Sequence, residues 1–257
     1  MTASMPVNSG TLPLTGERTV PGIPAENYWF RRHEAAYEYL APLLEGCTAV
    51  EVGCGEGYGT ALLARSTQRI VGVDYDALTI AHAAATYPQA HFVRGNLAAL
   101  PIGSESVDAV ATLQVVEHVW NHREFVRQCL RVLRPGGRLL MTTPNRLTFS
   151  PGLDVPVNPF HTKEFDPHEL SELLERDGFV VDGVLGLHAG ARLAEFDARH
   201  GGSFVDAQLA GPPDEWPARL VQDVVSVVTS DFVIVSAGAR EVGESLDLVV
   251  VAHRPLG

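Results

Sequence analysis

The segment VEVGCGEGYGTALLA, residues 50–64, has glycine at four alternate positions between an apolar run and a stretch with helical spacing. Glycine in a strand-to-helix turn permits positive φ and lets a ligand approach the backbone. The spacing differs from the dinucleotide fingerprint G-x-G-x-x-G, whose third glycine would fall on Tyr58 or Thr60. It also lacks the Gly-Lys-Ser/Thr of a phosphate-binding loop. The turn therefore predicts a ligand site without a cationic phosphate cradle.

One acidic residue, Asp74, ends the next apolar run, RIVGVD, 17 residues beyond Gly57. A carboxylate at the end of the second strand of such a unit can accept hydrogen bonds from both hydroxyls of a ribose. Together with the phosphate-free turn, it predicts a nucleoside ligand that carries a polar group near the turn. The alternative interpretation is a glycine turn that only packs a helix against the sheet.

Outward from this turn, short apolar runs rich in Val, Ile and Leu alternate with helical segments. This alternation predicts an α/β fold with a seven-stranded, mostly parallel sheet and helices on both faces. The predicted strands are, in order, TAVEVG, RIVGVD, HFVRGN, VDAVATLQ, RLLMTTP, FVVDGVLGLH and SLDLVVVAH.

Two segments lie outside this alternation. Residues 1–24 contain four prolines and no period, which predicts an N-terminal tail or strap on a domain of residues 25–257. Residues 189–244 separate the sixth and seventh strands and include the helical run WPARLVQDVVSVV. An insertion of this length is typical of a substrate wall or a lid.

Composition excludes several classes of protein. The chain has 257 residues, 46% of them hydrophobic, and a formal net charge of -12. Nucleic-acid or anionic-membrane binding through charge needs a basic surface, and a membrane helix needs about 18 apolar residues in a row. The three cysteines form no CxxC pair. We expect a cytoplasmic protein that binds neither nucleic acid nor membrane; its oligomeric state stays open.

The motifs together resemble those of the class I S-adenosylmethionine-dependent methyltransferases over residues 45–188 and the last strand. The glycine turn with Glu51 resembles their first motif, and Asp74 resembles their ribose acid. The segment SVDAVATLQVVEHV, residues 106–119, resembles their fourth-strand motif. Asn96 stands where many members have an Asp that binds the adenine amino group.

The resemblance implies a Rossmann-like class I methyltransferase fold with S-adenosyl-L-methionine as its cofactor. In related enzymes a helix before the first motif folds over the cofactor, although the aromatic cluster there also fits a role in the core. The implied cofactor-binding residues are Tyr28, His33, Glu51, Gly53, Cys54, Gly55, Tyr58, Asp74, Tyr75, Asn96, Leu97, Gln114 and His118.

Two histidines are candidates for a general base. His118 follows Glu117 after the fourth strand, where ligands bind in open parallel sheets. His161 lies past the fifth strand, with Glu164 three residues on. Glu117, His118 and His161 are therefore candidates for catalysis, and His161 and Glu164 are candidates for substrate binding. The alternatives are that Glu117 and His118 only shape the cofactor pocket, and that His161 is a surface-loop histidine.

A metal centre is not expected. Some quinone O-methyltransferases hold magnesium with Glu-x-x-Glu-His, but here Gln114 replaces the first carboxylate. Magnesium prefers carboxylates, so this substitution disfavours it. His118 and His122 have the i, i+4 spacing of a zinc pair, but the sequence offers no third ligand.

Three further stretches resemble the actinobacterial methyltransferases associated with polymethylated polysaccharides, specifically mycobacterial methylglucose lipopolysaccharide. They are residues 14–33, 158–165 and 197–208, and the last contains Arg199 and His200 as candidate saccharide-binding residues. The resemblance implies O-methylation of a sugar hydroxyl, the 6-hydroxyl of glucose units in an α-glucan. The alternatives are a quinone or natural-product O-methyltransferase, a non-catalytic S-adenosylmethionine-binding protein, and an NAD-dependent oxidoreductase.

Overall fold

The computed structural model describes residues 18–236 and 241–256. Its helices are α1 Asn27–Leu40, α2 Tyr58–Leu63, α3 Ala77–Thr86, α4 His122–Val132, α5 Arg146–Phe149, α6 Pro167–Arg176, α7 Ala191–Arg199, α8 Phe204–Leu209 and α9 Ala218–Ser226. Its strands are β1 Thr48–Val52, β2 Arg69–Asp74, β3 His91–Arg94, β4 Val107–Leu113, β5 Leu133–Pro144, β6 Val180–Ala189, β7 Phe232–Ser236 and β8 Asp247–His253.

The strands form one mixed sheet in the order β3-β2-β1-β4-β5-β8-β6-β7. Strands β1 to β5 pair in parallel, whereas β8 runs antiparallel between β5 and β6. The carboxyl ends of β1, β2 and β4 therefore meet at one edge of the sheet, where a parallel sheet binds its ligands. The predicted mostly parallel Rossmann-like sheet is confirmed in this half of the molecule.

The predicted number of strands is wrong, because the described residues form eight strands rather than seven. The additional strand is β7, FVIVS, which comes from the insertion and pairs antiparallel with β6 at the sheet edge. Only Phe232 of this strand is buried. A five-residue edge strand has a weak hydrophobic pattern, and the helical run just before it dominates the insertion.

Helices cover both faces of the sheet, so the central strands bury side chains in both directions. On one face, Ala49 and Leu113 pack with residues of α1 and of the insertion helices, including Phe204. On the other face, Val50 packs with residues of α4 and α6, including Phe125. This burial on both faces explains why the sequences of β1 and β4 are mainly apolar and do not alternate between apolar and polar residues.

The segment between β5 and α6 is anchored at both ends by side-chain caps. Asn145 accepts a hydrogen bond from the backbone N–H of Leu147, and its amide donates to the carbonyl of Ser245 at 3.0 Å. At the other end, Asp166 and Glu169 form a capping box at the start of α6. Two such caps hold the intervening loop in place beside the sheet edge.

The last residues of the predicted N-terminal tail pack against the domain. Thr19 and Val20 are buried, and the Arg18 guanidinium lies 3.3 Å from the carboxylate of Asp76. Residues 1–17 of that predicted tail lie outside the described residues. In the part of the chain that is described, no helix is long and apolar enough to cross a membrane.

Candidate functional site

A cavity of about 460 Å³ opens at the carboxyl ends of β1 and β4. It is lined by the glycine turn, by α1, by residues 157–161 in the middle of the α5–α6 loop, and by Leu209 of the insertion. It brings together nine of the residues predicted to form the site: His33, Gly53, Cys54, Gly55, Tyr58, Gln114, Glu117, His118 and His161.

The glycine turn is tightly packed at Gly53. The backbone N–H groups of Gly53 and Cys54 both donate to the carbonyl of Val73, at 2.8 and 3.0 Å. Gly53 has a φ of 81°, and a Cβ there would lie 2.5 Å from Val115 Cγ2. Glycine is therefore required at this position by its positive φ and by the contact with Val115, and the approach of a ligand to the turn backbone stays a prediction.

Gln114, at the end of β4, is held in a left-handed conformation with a φ of 57°. Its backbone N–H donates to the carbonyl of Thr142 at 2.9 Å. A non-glycine residue in this region is strained, and such strain is concentrated at functional sites. The strain turns the chain so that Gln114 lines the cavity.

Asp74 lies at the end of β2, next to the glycine turn. Its carboxylate accepts hydrogen bonds from the backbone N–H groups of Gly55 and Asp76, each at 3.0 Å. An ionised carboxylate offers about four acceptor positions, so acceptor capacity is left for ribose hydroxyls. Asp74 thus both braces the turn and remains able to bind a nucleoside.

Four of the predicted cofactor residues lie at or just after the ends of β2 and β3 and do not line the cavity: Asp74, Tyr75, Asn96 and Leu97. Tyr75 is 55% exposed. The Asn96 carboxamide oxygen accepts from the N–H of Ala98 at 2.9 Å, which fixes the amide and leaves one further acceptor position. Their contacts with the adenosine part of the cofactor stay a prediction.

Glu51 is completely buried beneath the turn and does not line the cavity. Tyr37 donates to one of its carboxylate oxygens at 2.5 Å, and the Thr60 hydroxyl donates to the other. Burial raises the pKa of Glu51 to about 7. Its direct role in the structure is to orient Tyr37, which does line the cavity.

The two α1 residues predicted to touch the cofactor differ in position. Tyr28 is buried in the core, with ring centroids 5.6 Å from Phe204 and 5.5 Å from Phe232. His33 lines the cavity, and its Nδ1 lies 3.3 Å from the Tyr58 hydroxyl. Burial lowers the pKa of His33 to about 4, so its imidazole is neutral at pH 7.

Sequence reasoning missed Arg32, a buried cation that lines the cavity. Its guanidinium binds both carboxylate oxygens of Asp247, at 2.6 and 2.7 Å, in the bidentate geometry that arginine favours. The adjacent Arg31 and the helical spacing gave no sign of burial. The only available signal was a doubled arginine within an aromatic helix.

His161 forms a buried pair with Glu164 at the wall of the cavity. The Nδ1 atom of His161 lies 2.8 Å from a Glu164 carboxylate oxygen, and its Nε2 lies 3.1 Å from the amide nitrogen of Asn158. The Asn158 oxygen accepts from the N–H of Phe160, which assigns the amide orientation. His161 is therefore protonated on Nδ1, and Nε2 carries the lone pair.

His118 lies edge-on against His161, with ring centroids 4.8 Å apart. Its Nδ1 is 3.1 Å from the carbonyl oxygen of Phe160. Glu117 is buried and accepts from the Thr143 hydroxyl at 3.0 Å. Burial raises the pKa of Glu117 to about 8. Both histidines thus lie at the cavity.

Glu117, His118 and His161 each offer one possible metal-binding atom, and these atoms lie within 4.8 Å of one another. A carboxylate with two imidazoles suits zinc or a similar transition metal better than magnesium. The sequence could not reveal this grouping, because a long loop separates His161 from His118. Glu164 and Asn158 already occupy both nitrogens of His161, so a metal-free site remains our hypothesis.

Arg199 and His200, predicted to bind saccharide, lie away from the cavity lining. Both bind the carboxylate of Asp223 in α9, at 2.8 and 2.9 Å. Arg219 contacts the same carboxylate at 3.2 Å. In the structure these residues join α7 to α9 within the insertion.

Comparison with known proteins identifies the family. Residues 50–141 match a family described as a methyltransferase domain. The chain is 53% identical over 246 residues to a probable S-adenosylmethionine-dependent methyltransferase of Mycolicibacterium smegmatis, covering 95% of this chain and 96% of that one. It is 50% identical over 249 residues to one of Mycobacterium tuberculosis, covering 95% and 90%. The chain belongs to the S-adenosylmethionine-dependent methyltransferases, and its cofactor is S-adenosyl-L-methionine.

Two further comparisons are with a relative of named activity and with a solved structure of similar fold. A mitochondrial ubiquinone biosynthesis O-methyltransferase of Mus musculus is 32% identical over 163 residues, covering 56% of this chain and 44% of that one. A crystal structure of a possible histamine N-methyltransferase of Thermotoga maritima has a TM-score of 0.61 at 18% identity, covering 88% of this chain and 93% of that one. The latter shows the fold alone.

Proposed function

We propose that this methyltransferase methylates a hydroxyl group of a sugar unit in an oligo- or polysaccharide, with His161 as general base. The observation that carries the proposal is the buried His161–Glu164 pair at the cavity wall. An aliphatic hydroxyl is not ionised at neutral pH, and a positioned base contributes about 10²–10⁴ in rate. A thiol, an amine or a phenolate has less need of one.

The bound cofactor supplies the activated methyl group. His161 accepts the hydroxyl proton at Nε2 as the acceptor oxygen takes the methyl group. The bond from the methyl carbon to the sulfonium sulfur would break in the same displacement, its electron pair would stay on sulfur, and S-adenosylhomocysteine would leave. Glu164 holds the Nδ1–H in place and stabilises the imidazolium that results, as the acid does in a catalytic triad. In the free protein the Asn158 amide donates to Nε2, so the acceptor hydroxyl takes over that hydrogen bond.

The charges around the cavity favour a neutral acceptor. Of its arginines, Arg32 is bound to Asp247 and Arg18 to Asp76, and the chain carries a formal net charge of -12. Polar groups along the lining can bind several hydroxyls, and the exposed apolar side chains of Phe160 and Leu209 can contact the C–H face of a sugar ring.

The particular sugar rests on the resemblance of residues 14–33, 158–165 and 197–208 to methyltransferases of polymethylated polysaccharides. It supports the 6-hydroxyl of glucose units in methylglucose lipopolysaccharide as the acceptor. On this proposal the partner is a neutral glycan, and neither nucleic acid nor membrane takes part.

A second candidate is O-methylation of a quinol or a similar small molecule. The identity of 32% to a ubiquinone biosynthesis O-methyltransferase over about half of the chain favours it. A phenol ionises far more readily than an alcohol, so this reaction depends less on His161. A third candidate, a non-catalytic S-adenosylmethionine-binding protein, predicts binding without turnover.

The experiment is a radiolabelled methyl-transfer screen over glucans, mannans and quinols, with the methylated position determined by NMR. We expect a glucan product at the 6-hydroxyl. His161→Gln should lower kcat by about 10²–10⁴ and leave the Kd for S-adenosylmethionine nearly unchanged, because the base acts only on the acceptor.

The matched control is His118→Gln, which removes the neighbouring imidazole and keeps the pair of His161 with Glu164. We expect a smaller loss of kcat in this variant. Methylation of quinols but not of sugars would overturn the proposal in favour of the second candidate. Activity that EDTA abolishes and a divalent metal restores would show that the metal-free hypothesis is wrong.

A further inference from the structure

A second cavity of about 440 Å³ lies next to the first, on the other side of the His161–Glu164 pair. His161 lines the first cavity, whereas Glu164 lines the second. The 2.8 Å hydrogen bond between these two side chains therefore connects the wall of one cavity to the wall of the other. A ligand in the second cavity would lie next to the acid that orients the proposed base.

The cations of the second cavity are already paired. Arg146 binds Asp166 at 2.6 Å and Glu169 at 3.3 Å, and the Lys163 ammonium lies 3.4 Å from Glu169. Asp154 adds a further carboxylate to the lining. An anionic ligand would find no unpaired positive charge among these residues, so the cavity suits a neutral one.

Glu164 provides an acceptor that lacks a donor. Its side chain is buried, and the carboxylate oxygen that His161 does not use has no hydrogen-bond partner in the described part of the chain. A buried carboxylate oxygen without a partner is unfavourable by about 1–3 kcal/mol or more. A ligand with hydroxyl donors would satisfy it.

The same loop supplies walls to both cavities. Val155 lines the second cavity and Val157 lines the first, and two residues of backbone span at most about 7 Å. Leu153 and Val155 are 50% and 73% exposed, so they offer apolar contacts beside the polar groups. The two cavities are therefore close neighbours along this loop.

We propose that the second cavity is a distal acceptor subsite, which binds a neutral sugar ring one or more units away from the methylated unit. This inference rests on the proposed function, because it assigns the second cavity to the same oligosaccharide. Hydroxyls of the distal ring would donate to carboxylates of the lining, and its C–H face would pack on Val155.

The test compares glucose with malto-oligosaccharides of increasing length as acceptors. We expect kcat/KM to rise with length by about tenfold or more, the effect of one or two added hydrogen bonds. Asp154→Ala and Val155→Ser should reduce this rise while leaving the rate on glucose unchanged. The matched control is Glu195→Ala on α7, outside both cavities, which should retain the full rise.

Thermal unfolding verifies that the variants are folded, and calorimetry with the longest acceptor measures binding separately from turnover. A kcat/KM independent of acceptor length would overturn the subsite while leaving the proposed function intact. Equal losses on glucose and on long acceptors in Asp154→Ala and Val155→Ser would also overturn it. If no sugar of any length is methylated, the proposed function fails, and the subsite fails with it.

Discussion

Asp74 combines two roles in one side chain. Its carboxylate fixes the glycine turn through the N–H of Gly55 and still has acceptor capacity toward the place where a ribose would lie. A charged acceptor that bonds to hydroxyls contributes more than a neutral one. The affinity for the cofactor should therefore depend strongly on this residue.

Asp74→Ala should weaken S-adenosylmethionine binding by about 1–3 kcal/mol. The ribose hydroxyls would lose their acceptor, and the glycine turn would lose the hydrogen bond from Gly55 to the carboxylate. Calorimetry with S-adenosylmethionine and S-adenosylhomocysteine measures the change, which should be similar for both. Asp214→Ala, at an exposed position in the insertion, is the control for the loss of one negative charge. An unchanged Kd in Asp74→Ala would contradict the ribose assignment.

At the residue scale, the sequence predicted those site residues that lie in continuous motifs. Gly53 and Gln114 follow strands whose ends meet, so local pattern and fold class suffice to place them. Arg32 and Asn158 were missed, because they reach the cavity only through tertiary packing. The partner of Arg32, Asp247, is 215 residues away in the chain, and no local pattern connects them.

At the scale of elements, the Arg32–Asp247 pair joins α1 to β8 and so positions the helix that carries His33. Both side chains are buried, at 4% and 2% exposure. Removing one partner of a buried ion pair leaves an uncompensated charge and costs about 3–5 kcal/mol. Arg32→Met should lower the free energy of unfolding by that amount, as measured by urea denaturation.

The control for this pair is the double variant Arg32→Met/Asp247→Leu, which removes both charges. Because apolar replacements of a buried ion pair are often neutral or stabilising, the double variant should recover much of the lost stability. Additive losses in the double variant would show that the two side chains act independently. That result would contradict the role assigned to the pair.

The elements also show where prediction from sequence ends. Strands β1 and β2 have the expected places, since strong apolar runs determine them locally. Strand β7 was missed, because its half-exposed residues have no clear strand pattern. It forms a strand through its pairing with β6, which the local sequence does not reveal. The route of the insertion past Leu209 to the cavity likewise depends on packing.

At the scale of the whole molecule, buried acids make stability depend on pH. Burial raises the pKa of Glu51 to about 7 from its usual 4.5. Between these values the folded protein keeps a proton that the unfolded chain has released. The folded state then binds more protons, so the free energy of unfolding falls as pH rises through this window. Glu117 acts in the same direction up to about pH 8.

Glu51→Gln should remove the contribution of Glu51, because the amide resembles the protonated acid and keeps a side chain that Tyr37 and Thr60 can bond. We expect the variant to gain stability relative to the wild type by about 3 kcal/mol at pH 8, at 1.36 kcal/mol per pKa unit. The gain should shrink toward zero near pH 4, where both states of the wild type are protonated. Urea denaturation from pH 4 to 8 measures it, with Glu38→Gln on the exposed face of α1 as control. A difference between Glu51→Gln and wild type that does not change with pH would show that Glu51 is ionised in the folded protein.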